Sequence, residues 1–247
     1  MSTSNSQAAP CVHGFVSASC SDCNLKGLCL PIAMDIKDID RLDRIIQRNR
    51  LIQGGEHLYH SDDSFTAIYA VRSGSLKTYM INAEGVEQVI GFCLPGEILG
   101  LDGVGNDAHD CHVVAMETSS ICEIPFARLE ELSRQIPSLQ RHFFQLMGQQ
   151  IKSDHQMMLT LSKKNADGRL ATLLVSLSRR YSRRKLSASA MHLPMSRNDI
   201  GNFLGLTIET VSRTFSRLQK EGIIDVSGRE ILIKDHERLN ALCQNSR

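Results

Sequence analysis

No stretch of this chain approaches the ~20 consecutive apolar residues that a bilayer-spanning helix needs. No basic-then-apolar segment opens it, so the expectation is a cytoplasmic protein with no membrane partner. No Ser/His/Asp constellation and no phosphate-cradling glycine loop stands out, so no enzyme is expected. Neither sign of charge is in excess: the formal net charge is +1. That balance is uneven along the chain. From Lys163 onward there are 16 Lys and Arg against 8 Asp and Glu, a local +8, and the remainder carries −7. A basic C-terminal third beside an acidic first part fits a nucleic-acid-binding module joined to a separate regulatory domain. With 247 residues, 42% of them hydrophobic, the chain is long enough for two domains and a sizeable core.

Within the basic third, the stretch from Asn198 to Arg213 reads as a helix-turn-helix. Ser196, with Asp199 three residues on, makes a capping box for the first helix. Gly205 ends that helix in a left-handed conformation. Gly201 lets a second helix cross closely. Thr207 caps the second helix, and Val211, Phe215 and Leu218 form its inward stripe. Glu209, Ser212 and Arg213 then fall at i, i+3 and i+4 on one outward face. Arginine donates two parallel hydrogen bonds to guanine, glutamate accepts from cytosine, and a short serine permits close approach. These three are therefore the expected readers of a DNA major groove. The plainer alternative is a surface helix pair with a Glu209–Arg213 ion pair. Gly222–Val226 and Glu230–Ile233, around a Ser227-Gly228 turn, favour the DNA reading because they look like the strands of a wing.

Eight cysteines in a cytoplasmic-looking chain point to metal or redox chemistry rather than structural disulfides. Cys20, Cys23 and Cys29 lie within ten residues, whereas Cys11, Cys93, Cys111, Cys122 and Cys243 are scattered. The Cys-x2-Cys-x5-Cys spacing lets three thiolates converge, with Gly27 letting the loop turn back. A fourth ligand must come from elsewhere, and spacing alone leaves zinc and an iron–sulfur cluster equally open. A thiol oxidoreductase is disfavoured, since the Cys20/Cys23 pair lies in a polar arm and not at a βα junction.

Taken in order, residues 1–19 are polar and read as a loose arm. Asp35 to Ile46 is a short helical stretch. From Arg50 to Phe126, short β-rich runs (Phe65–Val71, Leu76–Ile81, Glu87–Cys93, Cys111–Met116, Ser120–Ile124) alternate with glycine-marked turns, which suggests a small antiparallel roll. A helix over Phe126–Gln135 precedes Pro137. A long helix then runs from about Ser138 to Lys164. In it Phe144, Met147, Ile151, Asp154, Met158 and Leu161 recur at 3-4-3-4-3 spacing, an a/d seam suited to a two-stranded coiled coil. Packing of the same helix on its own roll is the competing reading, with Leu139, Phe143, Leu146 and Leu159 available for it. Asp154 in mid-seam either keeps dimerisation marginal by like-charge repulsion or turns to solvent. Asn165-Ala166-Asp167-Gly168 is the expected hinge. The basic run Arg179-Arg180-Tyr181-Ser182-Arg183-Arg184-Lys185 either touches phosphates or is a solvated surface.

A roll, a long helix, and Glu209-Thr210-Val211-Ser212-Arg213 in a helix-turn-helix resemble the CRP/FNR family of bacterial transcription regulators. The cysteine cluster together with Cys122-Glu123-Ile124-Pro125-Phe126 resembles the FNR subgroup of oxygen-sensing anaerobic regulators, and the likeness runs from Cys20 over nearly the whole chain. It implies an α+β fold: an N-terminal antiparallel β-roll of cyclic-nucleotide-binding type, a long dimerisation helix and a C-terminal winged helix-turn-helix domain. The implied divisions are 1–31 for the arm and cysteine loop, 32–136 for the roll, 137–164 for the dimer helix and 165–247 for the DNA-binding domain. The resemblance implies a [4Fe-4S] cluster on Cys20, Cys23, Cys29 and Cys122, and it is what selects Cys122. It also implies that oxygen converts the cluster to a [2Fe-2S] form and then destroys it, which weakens the homodimer. Leu28 either restricts oxygen access or is ordinary packing. Glu209, Ser212 and Arg213 resemble the readers of TTGAT-type half-sites in an inverted repeat of double-stranded DNA, and Ile81–Gln88 is a candidate contact for RNA polymerase. Gly96-Glu97-Ile98-Leu99-Gly100 resembles the start of a phosphate cassette. Where the cyclic-nucleotide branch has Arg-Ser-Ala, however, this chain has His109-Asp110-Cys111, so no cyclic nucleotide is expected.

Overall fold

The computed structural model describes residues 19–244. The arm expected over the first residues, with Cys11 in it, lies outside the described residues up to position 18. In chain order the first part comprises α1 (Ile36–Asp43), β1 (Gln47–Ile52), β2 (His57–Tyr59), β3 (Ala67–Ser73), β4 (Leu76–Ile81), β5 (Glu87–Cys93), β6 (Ile98–Leu99), β7 (His112–Ala115) and β8 (Ser119–Pro125). Then come α2 (Phe126–Gln135), α3 (Pro137–Lys163), α4 (Ala166–Arg183), β9 (Ala190–His192), α5 (Arg197–Leu204), α6 (Ile208–Lys220), β10 (Ile224–Ser227), β11 (Glu230–Ile233) and α7 (His236–Leu242).

Two four-stranded antiparallel sheets make the roll, ordered β1-β8-β3-β6 and β2-β7-β4-β5. Strand alternation explains its layers. Ala67, Tyr69 and Val71 of β3 face the space between the sheets, with Leu58, Leu76, Val113 and Ile121. Ile68 and Ala70 face the other way, onto Leu30, Leu42, Leu129 and Leu139. The outer face of the second sheet packs through Val89, Phe92 and Val114 on the core that holds α4, α5 and α6. The roll is thus buried on both sides, by the N-terminal loop and helices on one and by the helix-turn-helix on the other.

Strands β1, β2, β6 and β9 escape sequence reading. β1 is Gln-Arg-Asn-Arg-Leu-Ile, with no apolar alternation, and the others have three residues or fewer, too short to show a period. The wing therefore has three strands, β10-β11-β9, instead of two. The expected hinge is also displaced. Asn165 caps α4 by accepting the Gly168 N–H at 2.9 Å, so Ala166, Asp167 and Gly168 form the first helical turn. The break falls at Lys164, whose ψ of 148° is extended.

Helix α3 uses both faces. Leu139 and His142 are buried, and Phe143 and Leu146 pack on the roll. On the opposite side Phe144, Ile151 and Met158 are 63%, 55% and 61% exposed, a row of large apolar side chains left to solvent in one protomer. Met147 and Leu161 are half-buried. Leu159, available in sequence for packing on the roll, is 60% exposed, because among the described residues the roll-side core takes nothing of this helix beyond Leu146. Asp154 is exposed, and its Oδ1 accepts from Gln150 Nε2 at 2.9 Å.

Candidate metal centre and nucleic-acid interface

Short backbone hydrogen bonds build the cysteine loop. Leu28 and Cys29 donate their N–H groups to Leu25 O at 2.8 and 3.0 Å, and Lys26 donates to Cys23 O at 3.1 Å. Gly27, expected to let the loop turn, is not in the left-handed region and has open space around it, so these hydrogen bonds close the turn instead. Asp43, at the end of α1, anchors the loop by accepting the Cys20 N–H at 2.5 Å. Cys29 leads into a 3₁₀ turn, Leu30–Ala33, whose Leu30 is fully buried. Cys122 reaches the same place from β8: it shares with Ile124 the strand face that packs against Cys29 and Leu30.

Burial first, and then the neighbouring thiols of Cys20, Cys122 and Cys23, push the Cys29 thiol up to about 12, against a backbone hydrogen bond from Leu30. Burial and the neighbouring sulfurs thus disfavour the Cys29 thiolate, a cost that a bound cation would offset. Among the described residues no three His, Cys, Asp or Glu side chains are drawn into metal-ligand geometry. The donor set itself fits a soft, thiolate-bound centre, of which zinc and iron–sulfur are both examples.

The helix-turn-helix has the local chemistry its sequence predicts. Ser196 Oγ accepts the Asp199 N–H and Asp199 Oδ2 accepts the Ser196 N–H, each at 3.0 Å. Gly205 has φ +60°, and Thr207 Oγ1 caps α6 by accepting the Thr210 N–H at 3.2 Å. A Cβ on Gly201 would stand 2.7 Å from Leu206 O, so it is the turn's own carbonyl that needs the glycine most. Val211, Phe215 and Leu218 are buried, while Glu209, Ser212 and Arg213 are exposed on the other face. The backbone N–H at its own position and then the Thr207 hydroxyl hold the Glu209 carboxyl below the usual carboxylate range, so it is an acceptor at neutral pH. Ser212 and Arg213 line an open groove with Ser216, Arg217 and Lys220. Sequence reading missed these last three. Their signal was the i, i+4 continuation of the outward stripe. Arg217 also pairs with Asp167, at the start of α4.

The basic run at the end of α4 divides. Arg179, Arg183 and Lys185 are exposed, but Arg180 and Arg184 turn inward to the roll, contrary to both sequence expectations. Glu97 Oε1 accepts from Arg180 Nε at 2.8 Å and from Arg184 Nη2 at 2.7 Å. A second junction joins α5 to the β4–β5 hairpin. Lys77 Nζ bridges Glu87 and Asp199 at 2.7 and 2.9 Å, and the Asn202 side chain exchanges hydrogen bonds with Val89 N–H and Glu87 O. Burial works against ionisation of Glu97, yet Arg180 and then Arg184 outweigh it and hold the carboxyl below its ordinary value of 4.5. A depressed carboxyl stabilises the folded state fully above its ordinary value and loses that contribution as pH falls through the depressed one. Amide exchange at the α4 end is therefore expected to be flat from pH 7 down to 5 after correction for intrinsic rates, and to rise only below 4.5. A rise already at pH 6 would identify a histidine as the controlling group.

Inside the roll, Asp102 accepts from Tyr59 Oη at 3.2 Å and from Cys111 Sγ at 3.3 Å, and the His109 ring stacks on Tyr59 at 3.7 Å. Within the His109-Asp110-Cys111 stretch Asp110 is exposed; the carboxylate facing the interior is Asp102.

Comparison with known proteins agrees with this architecture. The pattern of a cyclic nucleotide-binding domain matches residues 50–135, and that of a Crp-like helix-turn-helix domain matches residues 168–242. The transcriptional activator protein anr of Pseudomonas aeruginosa is 49% identical, over 94% of this chain and 95% of its own length. The transcriptional activator protein FnrA of Stutzerimonas stutzeri is 48% identical, over 91% and 92%. The fumarate and nitrate reduction regulatory protein of Escherichia coli K12 is 42% identical, over 95% and 94%. The solved structure of FixK2 from Bradyrhizobium japonicum superposes with a TM-score of 0.75 at 30% identity, over 82% of this chain and 100% of that one. Identity at this level over nearly the full length, on a roll, long helix and helix-turn-helix in this order, means that the chain belongs to the Crp/FNR family, whose members are DNA-binding transcription regulators and not enzymes.

Proposed function

We propose that this protein is an oxygen-responsive regulator that binds an inverted-repeat DNA site as a homodimer while an iron–sulfur cluster is intact, and so controls anaerobic gene expression as activator or repressor according to the promoter. The observation that carries this reading is the shared neighbourhood of the Cys20, Cys23, Cys29 and Cys122 thiols. Those residues would hold a [4Fe-4S] cluster, which when bound supplies an oxygen-labile redox centre. The protein's own part is positional. Asp43 and Leu30 fix the two ends of the loop against α1 and the roll. Phe144, Met147, Ile151, Asp154, Met158 and Leu161 form the seam with a second copy, and the paired recognition helices lie about 34 Å apart, one turn of DNA. Glu209, Ser212 and Arg213 read TTGAT-type half-sites. The β4–β5 hairpin around Ile81–Gln88 offers RNA polymerase an exposed edge. No cyclic phosphate enters the roll, because Asp102 would repel it. In this reading the domain divisions are those the sequence predicts.

An absorption spectrum of anaerobically purified protein, taken before and after air is admitted with solution mass followed alongside, tests the sensor. The expected result is a brown protein whose visible band bleaches as dimer gives way to monomer, with Cys122→Ser colourless throughout. A wild-type protein left colourless by reconstitution with iron and sulfide would move the cysteines to zinc or thiol sensing. The DNA half has its own test. Arg213→Ala is expected to lose roughly 1–3 kcal/mol of binding at one base pair and to relax guanine selection there. A uniform loss on all sequences would instead make Arg213 a phosphate contact.

A further inference from the structure

The turn Pro95-Gly96-Glu97 is held from two sides. On one side it meets the cysteine loop: a Cβ built on Gly96 would stand 3.0 Å from Leu28 Cβ and 3.7 Å from Leu25 Cδ2. Gly96 has φ +89°, and its N–H donates to Val71 O at 2.7 Å while Glu97 O accepts the Val71 N–H at 3.0 Å, so the turn is tied to β3. On the other side it meets the DNA-binding domain. Glu97 takes Arg180 and Arg184 as above, Arg184 Nε donates to Pro95 O at 2.7 Å, and Arg180 Nη2 donates to Phe92 O at 2.5 Å. Helix α4, which carries both arginines, shares one buried core with α5 and α6 through Leu170, Leu173, Leu174 and Leu177. A shift at its end is therefore shared by the helices that follow.

We propose that this turn couples the cysteine loop to the DNA-binding domain within a single protomer, with Glu97 as the positioning residue that converts the seating of Leu25 and Leu28 into the placement of the recognition helix. The inference rests on reading the cysteine loop as the sensor. It adds a route that does not pass through the dimer seam. The seam sets whether two recognition helices are paired, and the turn sets where each one points.

Coupling is a non-additivity, and a double-mutant cycle measures it. Amide hydrogen exchange is to be followed in the full-length protein, in Leu28→Ala, in Glu97→Gln and in the double variant. Leu28→Ala is expected to speed exchange over residues 179–184 about tenfold, and to change it less than about twofold once Glu97→Gln is present. Arg184→Gln cuts the same contact from the other side and is expected to give the same non-additivity, which covers the case of an unstable Glu97 variant. A merely structural effect would speed exchange equally through the interior strands β7 and β8. Equal effects of Leu28→Ala in both backgrounds, or none over residues 179–184, would overturn the proposal. No sample in this cycle needs a bound cluster. A protein that stays colourless yet shows the non-additivity keeps the coupling and loses the cluster reading, and a brown protein with additive effects does the reverse.

Discussion

Changing Arg169 to methionine is expected to cost roughly 3–5 kcal/mol of unfolding free energy, as two or more hydrogen bonds to a charged group at about 1.5–3 kcal/mol each are lost. Arg169 is only 7% exposed. Its Nη2 donates to Leu161 O at 2.7 Å and its Nε to Lys164 O at 3.0 Å, where α3 ends. Its Nη1 donates to Leu204 O at 2.8 Å and Gly205 O at 3.3 Å, where α5 ends. The last carbonyls of a helix have no partner within it, and a cation is the favoured group there. One guanidinium thus serves two helix ends, and these are the ends of the long helix α3 and of the first helix of the helix-turn-helix. Methionine keeps most of the stem's packing, so the loss reports the hydrogen bonds. Urea unfolding is the measurement, with a lower midpoint at an unchanged slope as the expected result. A loss under about 1 kcal/mol would mean that water replaces the guanidinium at these carbonyls.

The second large effect is expected at Ile151. It lies at the middle of the exposed row on α3, 55% exposed in one protomer. Two copies meeting across a two-fold axis would each bury the exposed half of this side chain, worth roughly 0.8–1.6 kcal/mol apiece. Ile151→Glu removes both contributions and sets two carboxylates against each other. Dimer affinity is expected to fall by roughly tenfold to two-hundredfold from the lost burial alone, since every 1.4 kcal/mol is a factor of about ten. Binding to a full inverted repeat should fall with it, while binding to an isolated half-site should not. Asp154→Ala is the matched opposite: it is expected to tighten the dimer and make it less dependent on the cluster proposed for the cysteines. Sedimentation at several concentrations reads both. An Ile151→Glu protein as dimeric as wild type would place the interface elsewhere, and an unchanged Asp154→Ala protein would mean that this carboxylate only reaches solvent and Gln150.

Much of the recognition half was legible in the order of residues. The caps at Ser196 and Thr207, the left-handed Gly205 and the inward stripe Val211, Phe215 and Leu218 are all local chemistry, decided within one or two helical turns. The apolar runs Leu76–Ile81 and Glu87–Cys93 carried their own strand boundaries for the same reason. Glu97, Arg180 and Arg184 were not legible. Glu97 lies more than 80 residues from both arginines, and an arginine in a basic run reads as a solvated surface until a carboxylate from the roll is seen to meet it. Arg169 looks in sequence like any charged residue on a helix, because the carbonyls of Leu161, Lys164, Leu204 and Gly205 that it meets are backbone groups, which no side-chain pattern records.

What the sequence by itself determined is the set of parts: a roll, a long helix with an apolar row, a helix-turn-helix with Glu209, Ser212 and Arg213 turned outward, and three clustered thiols. Periodicity and capping are short-range, so each could be read alone. Only the tertiary structure decided how the parts are joined. It brought Cys122 to the cysteine loop across β8, laid Leu25 and Leu28 on Gly96, and seated the end of α4 on Glu97. Those contacts depend on which strand faces pack against which helices, and that is settled by burial of the whole chain at once and by no local run of residues.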